Sequence, residues 1–279
     1  MKIQFTLTSP EAKRLIAEGI RNDSQVSKTL RQGRILLKGG TTVSAISELL
    51  SGKPLRISGM ITPKGTLTSR FKNEIPLPHS AILAHKKMIP LETREDWERE
   101  AKLFTPQDLV IAGANAIDGF GNAVTMAGSW GGGNALSFLH NLFLEGIPFL
   151  IVAGLEKLAP GNLLQAIPFT GRKTPDLSYG MAVGLMPLFG RIFTEIEALQ
   201  NLAKIKVYVI GKGGIHGAEG GTTFLAEGPQ KEILKIDALY QKIKGSELSG
   251  VPRNLIPCAR GSQSCGSHLK CLYKIGARK

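Results

Sequence analysis

Cysteine is missing from the first 257 residues of this chain; all three, Cys258, Cys265 and Cys271, fall in its last segment. An odd, clustered count in a chain without a secretory signal argues against a disulfide framework. Long apolar runs are missing too. The stretch 143–154 already contains Glu145 and Pro148, so nothing approaches the ~18 residues a membrane span needs. The start, MKIQFTLTSPEAKR, has no extended apolar region, and a cytoplasmic, non-membrane protein is expected. Acids are few beside bases, 22 Asp and Glu against 35 Lys and Arg, for a formal charge of +13. That excess favours anionic partners through long-range attraction. No aromatic residues interleave with the bases as a platform for stacking nucleotides, which disfavours nucleic acid. A small anionic metabolite remains the expected partner, and a homo-oligomer is compatible with this composition.

What is present suits a large α/β domain: 279 residues, 42% hydrophobic and 20% charged. Ser9-Pro10-Glu11 opens a helix with Ser9 as N-cap, and a second begins at Asp23 or Ser24. Residues 34–38 read as the first strand of the sheet. Residues 92–104 read as a charged helix with Trp97, Ala101 and Phe104 turned inward. Strands are expected at 109–112, 147–153 and 205–210, with helices over 135–144, 191–203 and 233–243. The alternation predicts a three-layer, Rossmann-like fold with a mostly parallel sheet over 1–245, interrupted by a loop-rich excursion at 159–190.

Three glycine-rich loops follow predicted strands, and the carboxyl ends of such strands are where α/β sheets bind ligands. In the first, Gly39, Gly40, Thr41 and Thr42 turn from strand to helix with Lys38 beside them. Backbone N–H groups and threonine hydroxyls there can cradle an anion, or the threonines merely cap the helix. The second, 108–133, carries Asn115, Asp118 and Asn122 and then Gly128, Gly131, Gly132 and Gly133. The third, 211–223, sets Lys212, His216 and Glu219 among glycines. Lys157, after the strand at 147–153, is a further ligand-binding candidate. For chemistry, Asn115 would orient a carbonyl or hydroxyl, and Asp118 or Glu219 would move a proton or attack. His216 would serve as an acid/base group or a phosphate donor.

Residues 246–279 form a basic, cysteine-bearing tail. Its order, Cys258-x6-Cys265-x2-His268-x2-Cys271, supplies four soft ligands for zinc or an iron–sulfur cluster, although it departs from paired C-x2-C spacing.

The segments GRILLKGGTTVSAISELL, DLVIAGANAID, the glycines at 128–133 and LIVAGLEKL follow the order found in one superfamily. The chain resembles a distant member of the group uniting ribose-5-phosphate isomerase, glucosamine-6-phosphate deaminase and the CoA transferases, across residues 10–245. That resemblance implies the three-layer fold and a sugar phosphate or acyl-CoA ligand. The isomerase's two catalytic aspartates would fall on Ala112 and Asn115, and its lysine near Ala127, so ribose-5-phosphate isomerase activity is not expected. Glu219 in GAEGG matches the glutamate nucleophile of CoA transferases only by type. Members of this group that sense ligands without turning them over supply the alternative: a non-catalytic sensor or interaction protein whose cysteine tail binds metal.

Overall fold

The computed structural model describes residues 1–69, 77–85, 87–250, 258, 263–266 and 268–273. In chain order its strands are β1 (Lys2–Leu7), β2 (Arg34–Lys38), β3 (Gly59–Thr62), β4 (Gly65–Thr68), β5 (Ser80–Ala84), β6 (Lys87–Leu91), β7 (Leu109–Gly113), β8 (Ala116–Ile117), β9 (Ala123–Ala127), β10 (Phe149–Val152), β11 (Gly184–Leu188), β12 (Arg191–Phe193), β13 (Lys206–Gly213) and β14 (Gly221–Glu227). The α-helices are α1 (Ser9–Ile20), α2 (Ser24–Gln32), α3 (Thr41–Ser51), α4 (Arg94–Ala101), α5 (Gly133–Leu144), α6 (Leu163–Ala166), α7 (Glu195–Leu202) and α8 (Gln230–Ile243).

The central sheet is mixed, with six strands in the order β12-β10-β7-β2-β5-β6. β12, β10, β7 and β2 run parallel, and β5 and β6 continue antiparallel. β7 lies inside it, and its Leu109, Val110, Ile111 and Ala112 are fully buried, which explains an apolar run without alternation. Successive residues serve opposite faces. Ile35, Leu37, Leu109, Ile111, Leu150 and Val152 join one core with α1, α3 and α7. Leu36, Val110, Ala112 and Ile151 join another with Trp97 of α4 and Phe138 and Leu139 of α5. The sheet β1-β14-β13 packs into the first core through Phe5 and Phe224, with Ile233 and Ile236 of α8. α1 and α7 touch at Gly19, where a Cβ would stand 2.5 Å from the Cα of Ala198.

Several boundaries differ from the sequence expectation. The N-cap of α1 is Thr8 rather than Ser9, because Glu11 reaches back to the Thr8 N–H at 2.8 Å and closes a capping box. Residues 191–203 divide into β12 and α7 because Thr194 caps a new helix with Glu197. The excursion at 159–190 contains β11, paired antiparallel with β9. Further along the excursion, Met181 N–H donates to Thr66 O, Ala182 N–H to Leu269 O, and Leu272 N–H to Ser178 O. The described part of the tail is thus docked against the excursion. No helix among the described residues is long and apolar enough to cross a membrane.

Candidate functional site

The parallel strands end together. Lys38 of β2 stands opposite Ala112 of β7, and Gly113 opposite Val152 of β10. A Cβ on Gly113 would lie 3.8 Å from both Val152 O and a methyl of Val43, so the first turn of α3 meets the two strand ends there.

α3 begins without a cap. Its N-cap residue is Gly40, no side chain accepts from its first turn, and no acid lies in that turn. The N–H groups of Gly40, Thr41, Thr42 and Val43 carry no hydrogen bond among the described residues, whereas Gly39 N–H donates to Ser80 Oγ at 3.3 Å. Thr42 is 1% exposed, and its hydroxyl has no partner. Helical side chains lean toward the N-terminus, which carries this hydroxyl back over the open first turn. Gly39 is fixed by sterics, since a Cβ would stand 2.2 Å from His79 O and 2.5 Å from its ring. Around Gly40 the corresponding space is empty.

Two lysines stand at this edge. Lys38 is half-buried, with no hydrogen bond or carboxylate partner among the described residues. Burial, and then the neighbouring Lys157 charge, pushes its ammonium down to about 8. Lys157 donates to Ala114 O at 2.6 Å, and burial lowers it to about 8 as well.

The turn after β10 is a polar hub. Lys13 of α1 pairs with Glu156 at 2.7 Å, with side chains only 7% and 13% exposed. Gly154 makes room for that carboxylate, because a Cβ there would lie 1.9 Å from Glu156 Oε2. Leu155 N–H donates to both oxygens of Glu195, at 3.0 and 2.9 Å, and Lys212 Nζ donates to Leu155 O. Burial pushes the Glu195 carboxyl up to about 7. Four lysines therefore face two glutamates around the strand ends, and one of those glutamates is readily protonated. The arrangement carries surplus positive charge beside free N–H donors, which suits an anion.

The sequence-derived candidates divide sharply. Lys38, Gly39, Gly40, Thr41, Thr42 and Lys157 gather at the strand ends, and Lys212 joins through its ammonium. Asp118 does not offer a free base. Its carboxylate accepts from Phe120 N–H, Asn122 N–H, Asn122 Nδ2 and Leu163 N–H at 2.8–2.9 Å. Burial would raise its carboxyl, but these bonds outweigh it and hold it at about 2. Asn115 Oδ1 is likewise occupied by Thr125 Oγ1 and Met126 N–H, leaving only Nδ2 as a free donor. Gly131 and Gly132, at φ 60° and 70°, turn the chain into α5. His216 and Glu219 lie exposed at the tip of the β13–β14 hairpin and make no hydrogen bond or ion pair among the described residues. The hairpin reaches the hub through Lys212 and Gly220 instead; a Cβ on Gly220 would lie 3.5 Å from Glu156 Cβ. Lys13, Glu156 and Glu195 were not anticipated. Lys13 did leave a signal, a charged residue in register with Ile16, Ala17 and Ile20 on the apolar stripe of α1.

The metal expectation is corrected. Among the described residues no three His, Cys, Asp or Glu side chains come together to hold a metal ion, Cys258, Cys265, His268 and Cys271 included. The tail runs along different segments, with Cys258 N–H bonded to Thr68 O and Cys271 bridged to Ser178, which spreads these ligands apart. Comparison of the chain with protein-family models, curated proteins and solved structures finds no match.

Proposed function

We propose that this protein binds a small anionic metabolite, a sugar phosphate or an acyl-CoA, at the carboxyl edge of its central sheet. The observation that carries this reading is the uncapped start of α3, with the unpartnered Thr42 hydroxyl and the unpaired Lys38 ammonium beside it. An anion there satisfies helix N–H donors and neutralises a buried charge at once. Helices on both faces of the sheet support a three-layer, Rossmann-like architecture and agree with the resemblance to the isomerase, deaminase and CoA-transferase superfamily. The occupied oxygens of Asp118 favour binding without proton transfer by that residue, as in a ligand sensor.

Calorimetric titration with inorganic phosphate, ribose 5-phosphate and CoA at constant ionic strength tests the reading. Saturable binding of at least one is expected, weakened about 10–100-fold in Lys38→Met and in Lys157→Met, the worth of a charge-assisted hydrogen bond. If none of the three binds saturably, or if both variants bind like the parent, the reading fails.

A further inference from the structure

Lys38 differs from the other lysines around the strand ends. Lys13 is held by Glu156, Lys157 by Ala114 O and Lys212 by Leu155 O, while the Lys38 amine has no partner among the described residues. It closes β2, with Ser80 on one side and Ala112 on the other, immediately before the glycines that lead into α3. The position is half-buried yet borders the empty space around Gly40. An amine used only to neutralise a ligand would gain from a carboxylate to hold it in place, and none is supplied.

We propose that Lys38 is a nucleophilic amine that condenses with the carbonyl carbon of an anionic aldehyde or ketone seated at the start of α3. The inference deepens the anion-binding reading and rests on it. The lone pair of the neutral amine attacks the carbonyl carbon, and a C=N bond replaces C=O. Both amine hydrogens leave with the carbonyl oxygen as water, and nothing is oxidised or reduced. Burial and the Lys157 charge favour the neutral amine, as desolvated lysines beside a second cation do elsewhere. The adjoining strand end supplies Asn115, whose unbonded Nδ2 is a donor suited to polarising a carbonyl oxygen.

Pyridoxal 5′-phosphate, an anionic aldehyde, is a suitable probe, with pyridoxal as its uncharged counterpart. The full chain is treated at pH 7.5 with a limiting amount of either, reduced with borohydride and mapped by peptide mass. At that pH an amine titrating near 8 is neutral on the order of a hundred times more often than a surface lysine. The reduced adduct is therefore expected on Lys38 above every other lysine, to be suppressed by inorganic phosphate, and to be much weaker with pyridoxal. Lys38→Arg should keep phosphate binding and lose the adduct. If phosphate binds but the adduct spreads over surface lysines, the imine proposal is overturned and the anion reading stands. If Lys38 reacts equally with both aldehydes and phosphate does not protect it, the amine is reactive without an anion seat, and the proposal is overturned. If phosphate neither binds nor protects and Lys38 is unmodified, both readings fall. Mapping the parent chain decides these outcomes even if the arginine variant does not fold.

Discussion

α3 and α7 occupy equivalent places: each follows a parallel strand, β2 or β12, and starts at the same edge of the sheet. At α7 every local need is met from within. Thr194 accepts from Ile196 N–H, Glu197 accepts from the Thr194 N–H and hydroxyl, and Glu195 takes Leu155 N–H from the hub. At α3 the cap is glycine, the first-turn acids are missing and the nearest charge is a lysine. Four unpaired helix N–H groups are ordinarily satisfied by caps, water or ligands. The contrast therefore separates a start that organises the fold from one left open to a ligand.

The strongest way to break this contrast is to disturb the closed side. Lys13→Met would leave Glu156 buried without a counter-charge, and its Oε2 already lacks a partner. A loss of about 3–5 kcal/mol in urea unfolding is expected, as for other buried pairs stripped of one member. Adding Glu156→Gln should restore much of it. A loss below ~1 kcal/mol, the range of an exposed pair, would show that the hub is solvated and not a rigid frame for the edge.

A second effect follows from titration. Glu195 holds its proton up to about 7 when folded, against an ordinary value of 4.5, so the folded chain binds the extra proton between those values. Stability accordingly falls as pH rises from 4.5 to 7. Lys38 and Lys157 release protons near 8 when folded, against 10.5, so the unfolded chain binds more protons in that interval, and stability climbs as pH rises across it. The two windows leave a trough between about 7 and 8 in a thermal-melt series. Glu195→Gln should remove the fall on the acid side and leave the alkaline climb. A profile without that trough would mean that these three groups are solvated, and the two helix starts would no longer differ in charge.

Much of this arrangement could be read from local sequence. The apolar run of β7 marked a buried strand, and Gly39-Gly40-Thr41-Thr42 marked the turn into α3, although it left open whether a threonine capped the helix. What escaped notice depended on distant partners. Lys13 meets Glu156 across 143 positions, and Asp118 is pinned by Leu163 N–H across 45, so neither role appears in a local motif. Asp118 looked like a catalytic acid because an isolated carboxylate in a polar loop gives no sign that its lone pairs are spent. β12 was read into a helix because three residues, Arg191–Phe193, show no period before Thr194 restarts the chain.

The smallest expected effect is also the most specific to α3. Thr42→Val keeps the shape of a buried β-branched side chain and deletes a hydroxyl that has no partner. Leaving a buried polar group unsatisfied costs ~1–3 kcal/mol, so without anions the valine variant should be as stable as the parent or gain up to about 1 kcal/mol. With phosphate present the sign reverses: losing one hydrogen bond should weaken binding about fivefold, or ~1 kcal/mol. The equivalent deletion at the other start, Thr194→Val, should cost about 1 kcal/mol whether or not phosphate is present, because its hydroxyl caps α7 internally. If Thr42→Val lost stability without anions as Thr194→Val does, its hydroxyl would be serving the fold, and α3 would be closed by the chain itself.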